Sequence, residues 1–170
     1  MKTLKHLLLS VVLGLLACGV QAGALTDYGE NKLLDNLIRG QANSLPATYY
    51  LALGTNACSD SGSPTEPSGN GYARASVASS LANWAGSQSS GSTTASSGTG
   101  GTTSNNGAVT FSTSTGAWAS SANLVSVWFM DASSAGNAWI CITLTSPVAV
   151  TGTGFTLSFP AASLTFQIDN

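Results

Sequence analysis

Five apolar stretches in the second half of this 170-residue chain decide its fold. They read LVSVWFM at 124–130, AWICITL at 138–144, PVAVT at 147–151, FTLSF at 155–159 and LTFQI at 164–168. Apolar and polar residues alternate clearly in the last two, which places the apolar side chains on one core-facing side. Short turns rich in Gly, Ser and Asn separate the stretches, at the spacing typical of antiparallel sandwiches and barrels. We therefore predict a mainly β, antiparallel β-sandwich-like domain.

Further strand candidates precede these stretches, at 49–53, at 72–79, where the alternation is weak, and at 108–112. Residues 55–71 are rich in Asn, Ser, Gly and Pro, which indicates an exposed loop that ends in a Gly-Asn-Gly turn. Residues 85–107 are a Ser/Thr/Gly-rich segment with too little apolar surface to form core. We expect this segment to be a long mobile loop or a flat hairpin, and its Asn-Gly pair favours a tight turn into the next strand.

One segment near the start, 26–39, has the pattern of an α-helix. Thr26 or Asp27 can cap its start, acidic residues occupy its first turn, and Gly40 can end it. Such a short helix needs a surface to pack on, and two interpretations stay open: it covers its own domain, or it docks on a neighbouring subunit or another partner. The apolar stripe that makes this contact consists of Leu33, Leu34, Leu37 and Ile38.

Six segments, spread in order along 24–170, carry a resemblance to a known family. They read ALTDYGENKLLDNLIRG (24–40), PATYYLAL (46–53), TEPSGNGYAR (65–74), SNNGAVTF (104–111), DASSAGN (131–137) and FPAASLTFQIDN (159–170). In order and spacing they resemble small tailed-phage virion proteins that are usually labelled tail fibre proteins. None of the six is a metal, nucleotide or catalytic signature. The resemblance implies a structural subunit of a phage tail or tail-like appendage that binds copies of itself, other virion proteins or a host surface glycan.

Residues 1–22 lie outside that resemblance and have the pattern of a secretory signal peptide. Lys2 and Lys5 precede an apolar run at 7–16, and small residues precede a cleavage position after Ala22. The run is too short to span a membrane, so we expect no transmembrane segment in the mature chain. Cleavage leaves one β-rich domain at 23–170. A second interpretation uses LLAC at 15–18, which is similar to a bacterial lipoprotein box with Cys18 as the lipidated residue.

The leader leaves the localisation open between the virion tail and Sec-dependent export. Virion proteins normally assemble in the cytoplasm, so the leader indicates either an exported member of the family or upstream sequence that the domain does not require. It also supports an alternative function, that of an exported bacterial surface protein or lectin-like adhesin.

Two cysteines, Cys58 and Cys141, remain once the leader is removed. An even pair in an exported chain can form a disulfide. In the alternative interpretation, Cys141 is a small buried side chain in an apolar strand and Cys58 faces solvent in its turn-rich segment.

The composition removes several classes of function. The single histidine, His6, lies in the leader, so the mature chain lacks the commonest general base and zinc ligand. Without Lys2 and Lys5 of the leader, the mature chain has three cations against seven acids, which neutralise few phosphates and argue against nucleic-acid binding. Asp60 and Glu66 share a loop, and two carboxylates are the minimum for glycoside hydrolysis, but such pairs are common in solvated loops. The Asp/Asn spacing of an EF-hand calcium loop is absent as well. We predict no enzyme activity, no cofactor and no metal, and keep a secreted polysaccharide hydrolase as a remote alternative.

Four tryptophans divide into two groups by their surroundings. Trp128 and Trp139 lie inside apolar strands and are predicted to be core residues. Trp84 and Trp118 flank the Ser/Thr/Gly-rich segment and are the candidates for surface aromatics that stack on a sugar ring, although packing is favoured over binding for both. Asp131 follows a strand, where we expect it to open a turn by an Asx-type hydrogen bond.

Overall fold

The computed structural model describes residues 15–17, 23–119 and 122–168. These residues form one helix and ten strands. In chain order the elements are β1 (Leu15–Ala17), β2 (Ala24–Leu25), α1 (Asp27–Leu37), β3 (Thr48–Gly54), β4 (Ala75–Ala78), β5 (Thr102–Ser104), β6 (Val109–Thr110), β7 (Leu124–Met130), β8 (Ala138–Val148), β9 (Thr156–Phe159) and β10 (Thr165–Gln167).

The strands of this described part form three sheets. The largest is antiparallel and five-stranded, in the order β2, β8, β7, β3, β4. A three-stranded sheet has the order β1, β9, β6, with β1 parallel to β9, and a two-stranded sheet pairs β10 with β5. One core joins Leu51 and Ile142 of the large sheet to Phe159 of the three-stranded sheet. The predicted mainly β, sandwich-like fold with one N-terminal helix is confirmed.

Three predicted strands agree closely with the structure. β7 spans the predicted 124–130, and β3 and β9 lie within one residue of their predicted ends. The two stretches predicted as separate strands at 138–144 and 147–151 were wrongly divided, because β8 continues to Val148 through Pro147. Proline is tolerated there since it lies near the end of the strand, beyond the residues that pair with β2.

A β-bulge in β8 brings an additional aromatic side chain into the core. Phe129 pairs with Ile140, whereas the next residue of β7 pairs with Ala138, so Trp139 is the extra residue. A bulge allows two successive side chains to point to one side. Trp139 and Ile140 therefore both contact the main core.

The second face of the large sheet is covered by the loop that follows β3. Trp128 and Met130 are buried there in a smaller cluster with Cys141, and Cys58 of the loop packs against it. The structure joins Cys58 to Cys141 by a disulfide, with 5.7 Å between their Cα atoms. Residues on both faces of the large sheet are thus buried, which explains why β7 is apolar along nearly its whole length.

The Ser/Thr/Gly-rich segment differs from the loop or hairpin predicted for it. It contains β5, which pairs with β10 far along the chain, and not with β6 after the Asn-Gly turn. The Gln88 side chain donates hydrogen bonds to Ser92 Oγ, Thr94 Oγ1 and the Ala95 carbonyl. Polar side chains therefore organise turns in a segment that has little apolar surface to bury.

Candidate functional site

The first group of polar residues is an ion pair on the loop that follows β3. The Arg74 guanidinium donates to Glu66 Oε1 at 2.6 Å and to Glu66 Oε2 at 3.1 Å. Only 6% of the Arg74 side chain is exposed. Tyr72 donates its hydroxyl hydrogen to Glu66 Oε2 and accepts one from the backbone N–H of Leu53. Burial raises the pKa of Tyr72, so this hydroxyl stays protonated and can both donate and accept a hydrogen bond.

A turn between β7 and β8 completes this group. Arg74 Nη1 donates to the carbonyls of Ala132 and Ala135. Asp131 shapes the turn, because its Oδ1 accepts from the Asn137 N–H at 2.7 Å and its Oδ2 accepts from Asn137 Nδ2. These bonds join residues six positions apart, so they are not the Asx-type bond that was predicted. Burial raises the pKa of Asp131, but the hydrogen bonds from Asn137 outweigh it and the net shift is downward.

These contacts connect two segments that are distant in sequence, 65–74 and 131–137. We call Glu66, Tyr72, Arg74 and the Asp131 turn the polar lock. Its charged side chains are hydrogen-bonded to each other and to the backbone. They therefore stabilise the fold and are not free to bind a substrate. The polar lock therefore holds the loop after β3 against the sheet.

A second polar link joins the segments 104–111 and 159–170. Asn105 is almost fully buried, at 1% exposure. Its Oδ1 accepts from the Leu164 N–H, and its Nδ2 donates to the carbonyls of Gly107 and Pro160. Asn105 thus ties the entry to β6 to the turn between β9 and β10, and its amide is used for folding.

The carboxylate pair considered for hydrolysis does not share a cleft. Glu66 lies in a cleft with Tyr50 and Arg74, whereas Asp60 lines a different one with Asp27 and Asn137. Glu66 is also bound by Arg74 and Tyr72. The geometry for two cooperating carboxylates is therefore not formed by Asp60 and Glu66. Within the described residues, no three Cys, Asp or Glu side chains are grouped to hold a metal ion.

The second candidate site is the helix. Thr26 caps it, since its Oγ1 accepts from the Gly29 N–H, and Thr26 N donates to the Trp139 carbonyl of β8. A Cβ at Gly29 would lie 2.5 Å from that same carbonyl oxygen, so glycine permits the close approach of helix and strand. The inner side of the helix therefore passes through Tyr28 and Gly29, which lie against β8.

Because the helix packs on β8 through Tyr28 and Gly29, the predicted apolar stripe is divided into a half-buried part and an exposed part. Leu33 is half-buried, but Leu34, Leu37 and Ile38 are exposed by 55%, 69% and 80%. At about 100° per residue, these three share one side of the helix with the exposed Asp27, Glu30 and Asn31. We call this side the outer face of α1. The interpretation that the whole stripe covers its own sheet is wrong for three of its four residues.

The predicted core tryptophans are buried, and the two candidates for surface aromatics differ from each other in exposure. Trp128 and Trp139 lie in the core. Trp118 is also buried, at 3% exposure, and its indole N–H donates to the Asn70 carbonyl. Trp118 is therefore not a surface aromatic, and the packing favoured for it is confirmed, because Tyr72 and Phe111 pack against its ring.

Trp84 lines a cleft of about 510 Å³ whose walls come from the large sheet and from the β5–β10 pair. Its ring lies 5.4 Å from Phe129, and its buried indole N–H has no hydrogen-bond partner among the described residues. Burial, with a smaller effect from Asp131, raises the pKa of Tyr49 on the same wall to about 12. The remaining wall is apolar or hydroxylated, and includes Leu81, Ser96, Thr103, Ile140 and Phe166. Such a cleft suits a neutral ligand with an apolar face.

Sequence reasoning missed most of this cleft and left open which side of the helix packs on the sheet. The cleft walls come from β3, β5, β7, β8, β10 and loop residues, and no local pattern indicates that these residues meet. For the helix a signal was present, because a glycine inside a helical pattern lowers stability relative to alanine and is therefore consistent with a packing role. Gly29 could therefore have identified the inner side.

Within the leader, residues 1–22, the structure describes only β1. Cys18 and the predicted cleavage position after Ala22 lie outside the described residues. Among the described residues, no helix is long and apolar enough to cross a membrane.

Comparison with known proteins identifies one family. Residues 24–167 match the family described as Podophage GP4 fiber I protein gp80. No curated protein matches the chain. The matched region includes α1, the polar lock and every strand from β2 to β10. The chain therefore belongs to this family of phage structural fibre proteins.

Proposed function

We propose that the chain is a fibre subunit that acts through protein–protein contacts, and that the outer face of α1 is its docking surface in the virion. The exposure of Leu34, Leu37 and Ile38 on one side of a short helix is the observation that supports this most. Apolar side chains grouped on an exposed surface are typical of interaction sites. The rest of the chain is poor in charge, so burial of this face offers a main source of binding energy.

We also propose that the protein has no hydrolase activity. Two arguments support this: the sequence from residue 7 onward contains no histidine, and Glu66 is engaged by Arg74 and Tyr72. Incubation with host polysaccharide should release no reducing sugar. Release that is lost in Asp60→Asn or Glu66→Gln would contradict this proposal.

The docking proposal is tested by incorporation into phage particles. In the variant Leu34→Asp with Leu37→Asp, the new charges lie on an exposed surface of the monomer but would be buried in a contact. We expect a folded protein, by circular dichroism, that is missing from purified particles. Leu45→Asp is the matched control, since Leu45 is exposed by 58%, close to the 55% of Leu34. Normal incorporation of the double variant would exclude the outer face as the docking surface.

A second candidate function is the binding of a host surface glycan in the Trp84 cleft. The specific support is an aromatic wall with a buried indole N–H that the described residues leave unpaired, and with hydroxyl groups at its edge. Sugar rings bind through an apolar face and hydroxyl groups, which this wall would complement. Titration with host glycans should quench tryptophan fluorescence in the wild type and not in Trp84→Ala. Equal quenching in both proteins would exclude the cleft.

The use of the leader is a separate proposal. Cleavage after Ala22 would give export and a mature chain that starts at Gly23, but it would also remove β1, which pairs with β9. The intact mass of the native protein distinguishes the alternatives, including lipidation of Cys18. A mass that retains residues 1–22 would remove the argument for export and favour cytoplasmic assembly into the virion.

A further inference from the structure

We infer that the Cys58–Cys141 disulfide forms after the virion has left the host cell, in a subunit that is already folded and assembled, and that Cys58 is the thiol that reacts first. The chain's membership of a family of phage fibre proteins is the starting point, and the outer face of α1 plays no part. Three features support the inference: the redox state of the cytoplasm, the contacts that hold Cys58 in place, and the different exposure of the two cysteines.

The place of assembly and the disulfide require different redox conditions. Structural disulfides persist in oxidising compartments and on virion surfaces, whereas the cytoplasm keeps thiols reduced. Virion proteins normally assemble in the cytoplasm, before the host is lysed. A fibre subunit with a disulfide therefore passes from a reduced form inside the cell to an oxidised form outside it.

The loop after β3 is held in place by contacts that do not need the disulfide. Two residues before Cys58, the Asn56 carbonyl accepts from Ser126 Oγ of β7 at 2.7 Å. Two residues after Cys58, the Asp60 carbonyl accepts from the N–H of Asp27, the first residue of α1, at 2.9 Å. Hydrogen bonds thus fix the backbone on both sides of Cys58.

Cys141 is fixed by its position inside the large sheet. It pairs with Ala24 of β2 on one side and with Trp128 of β7 on the other. The Cα atoms of Cys58 and Cys141 lie 5.7 Å apart, within the usual range for a disulfide. Strand pairing and hydrogen bonds therefore bring the two thiols together at a high effective concentration. The bond adds to a fold that already exists.

The two cysteines differ in their access to an oxidant. Cys141 is 6% exposed, whereas Cys58 is half-buried between the exposed Ala57 and Ser59. Thiol–disulfide exchange requires an accessible thiolate, and buried cysteines are inert. Cys58 therefore reacts first with an oxidant that arrives from outside.

The oxidant is a low-molecular-weight disulfide of the glutathione class, and the exchange has two steps. In the first, the Cys58 thiolate attacks one sulfur of the small disulfide, an S–S bond forms at Cys58 and one small thiolate leaves. In the second, the Cys141 thiolate attacks Cys58 Sγ, the Cys58–Cys141 bond forms and the other small thiolate leaves. The two cysteines lose two electrons to the small disulfide, and the released thiolates take up the two protons that the cysteines give up.

A bond formed at this stage stabilises the released particle. It joins residues with a sequence separation of 83 and so restricts the unfolded chain. We therefore expect that assembly does not need the bond, and that the released particle resists heat better with it than without it.

Tryptic peptides show when the bond forms. Trypsin cleaves after Arg39 and Arg74, so Cys58 lies on peptide 40–74 and Cys141 on peptide 75–170. Infected cells are treated with N-ethylmaleimide before lysis, and purified particles are treated in the same way. Mass spectrometry should find two separate, alkylated peptides in the cells and the two peptides joined by the disulfide in the particles.

Single variants show which thiol reacts first. The full chain is purified in reductant, transferred to oxidised glutathione and digested. Cys141→Ala should carry one glutathione on peptide 40–74, because no second thiol displaces it there. Cys58→Ser should carry none on peptide 75–170, because Cys141 stays buried. Detection on these two peptides keeps Cys18 of the leader out of the comparison.

The double variant Cys58→Ser with Cys141→Ala tests the order of assembly and oxidation. Its subunit should be present on particles at the wild-type level, and these particles should lose infectivity at a lower temperature than wild-type particles. Reductant should lower the heat resistance of wild-type particles by a similar amount and leave that of the double variant unchanged. Purified wild-type chain should stay folded in reductant, by circular dichroism.

Joined peptides in cells before lysis would overturn the inference and indicate oxidation during export. Separate peptides in released particles, or glutathione on Cys141 in place of Cys58, would also overturn it. A wild-type chain that unfolds in reductant would show that the bond is a condition of folding. Absence of the chain from purified particles would contradict the proposed fibre function as well, whereas a reduced chain in particles would contradict this inference alone.

Discussion

The polar lock and the C-terminal end of α1 each contain an arginine, but the two arginines have opposite surroundings. Arg74 is 6% exposed and donates to Glu66 and to two backbone carbonyls, whereas Arg39 is 72% exposed and holds one neighbouring carboxylate. The first arginine is fully engaged inside the molecule, and the second remains available outside it. The roles of the two arginines follow from their burial and from the number of their hydrogen-bond partners. Residue type alone would not distinguish them.

The same contrast applies to the segments by which the chain resembles its family. The segments 65–74 and 131–137 meet in the polar lock, so their charged residues explain the fold. The helix in 24–40 both packs within the fold and presents an exposed surface. Its inner side packs on β8 through Gly29, whereas Leu37 and Ile38 on its outer face stay exposed.

The largest expected effect comes from breaking the polar lock. Arg74→Met keeps most of the length of the side chain but leaves Glu66 and two turn carbonyls without this donor. Removal of one partner of a buried ion pair typically lowers the free energy of unfolding by about 3–5 kcal/mol. Urea unfolding should show this loss, and Arg39→Met, as the matched control, should change stability by less than about 0.5 kcal/mol. Equal effects of the two substitutions would refute the comparison.

The disulfide should have the next largest effect. It joins Cys58 to Cys141 across a sequence separation of 83 residues and fixes the loop after β3 on the second face of the large sheet. The double substitution Cys58→Ser with Cys141→Ala should lower the free energy of unfolding by about 2–4 kcal/mol. Wild-type protein in reductant should lose a similar amount. Unfolding curves that do not respond to reductant would show that the bond is absent from the purified protein.

A smaller effect is expected from Asp131 as a function of pH. Its pKa is lowered in the folded state from 3.8 by the hydrogen bonds from Asn137, which outweigh the effect of burial. The ionised carboxylate therefore stabilises the fold above pH 3.8, and this contribution is lost as the pH falls through the lowered value. Asp131→Asn, which still accepts from the Asn137 N–H, should make stability less dependent on pH in this window. If the free energy of unfolding of this variant depends on acidic pH as strongly as that of the wild type, Asp131 does not cause the dependence.

The sequence predicted the elements whose signals are local. LVSVWFM became β7 without change, and the cap at Thr26 and the acidic first turn placed α1 to within about two residues at either end. The alternation at 164–168 was less reliable. Ile168 follows the pattern of a core residue but is 63% exposed, because β10 ends at Gln167.

Features that depend on contacts between distant segments could not be predicted. Arg74 meets the carbonyls of Ala132 and Ala135, which lie 58 and 61 residues further along the chain, and the walls of the Trp84 cleft come from several strands and loops. The bulge at Trp139 also depends on pairing with β7, which one strand alone does not reveal. The helix stripe was ambiguous for a related reason: four apolar residues span more than one side, and the packing of Gly29 decides which of them face inward.

The measurement that tests the account most directly compares stability and assembly in the variant Leu34→Asp with Leu37→Asp. Both side chains are exposed in the monomer, so the free energy of unfolding should change by less than about 1 kcal/mol relative to wild type. The amount of this folded variant on purified phage particles should fall to background, while Leu45→Asp is incorporated normally. A variant that unfolds would mean that the outer face supports its own domain, and a stable variant that is incorporated at the wild-type level would contradict the role of α1 in docking.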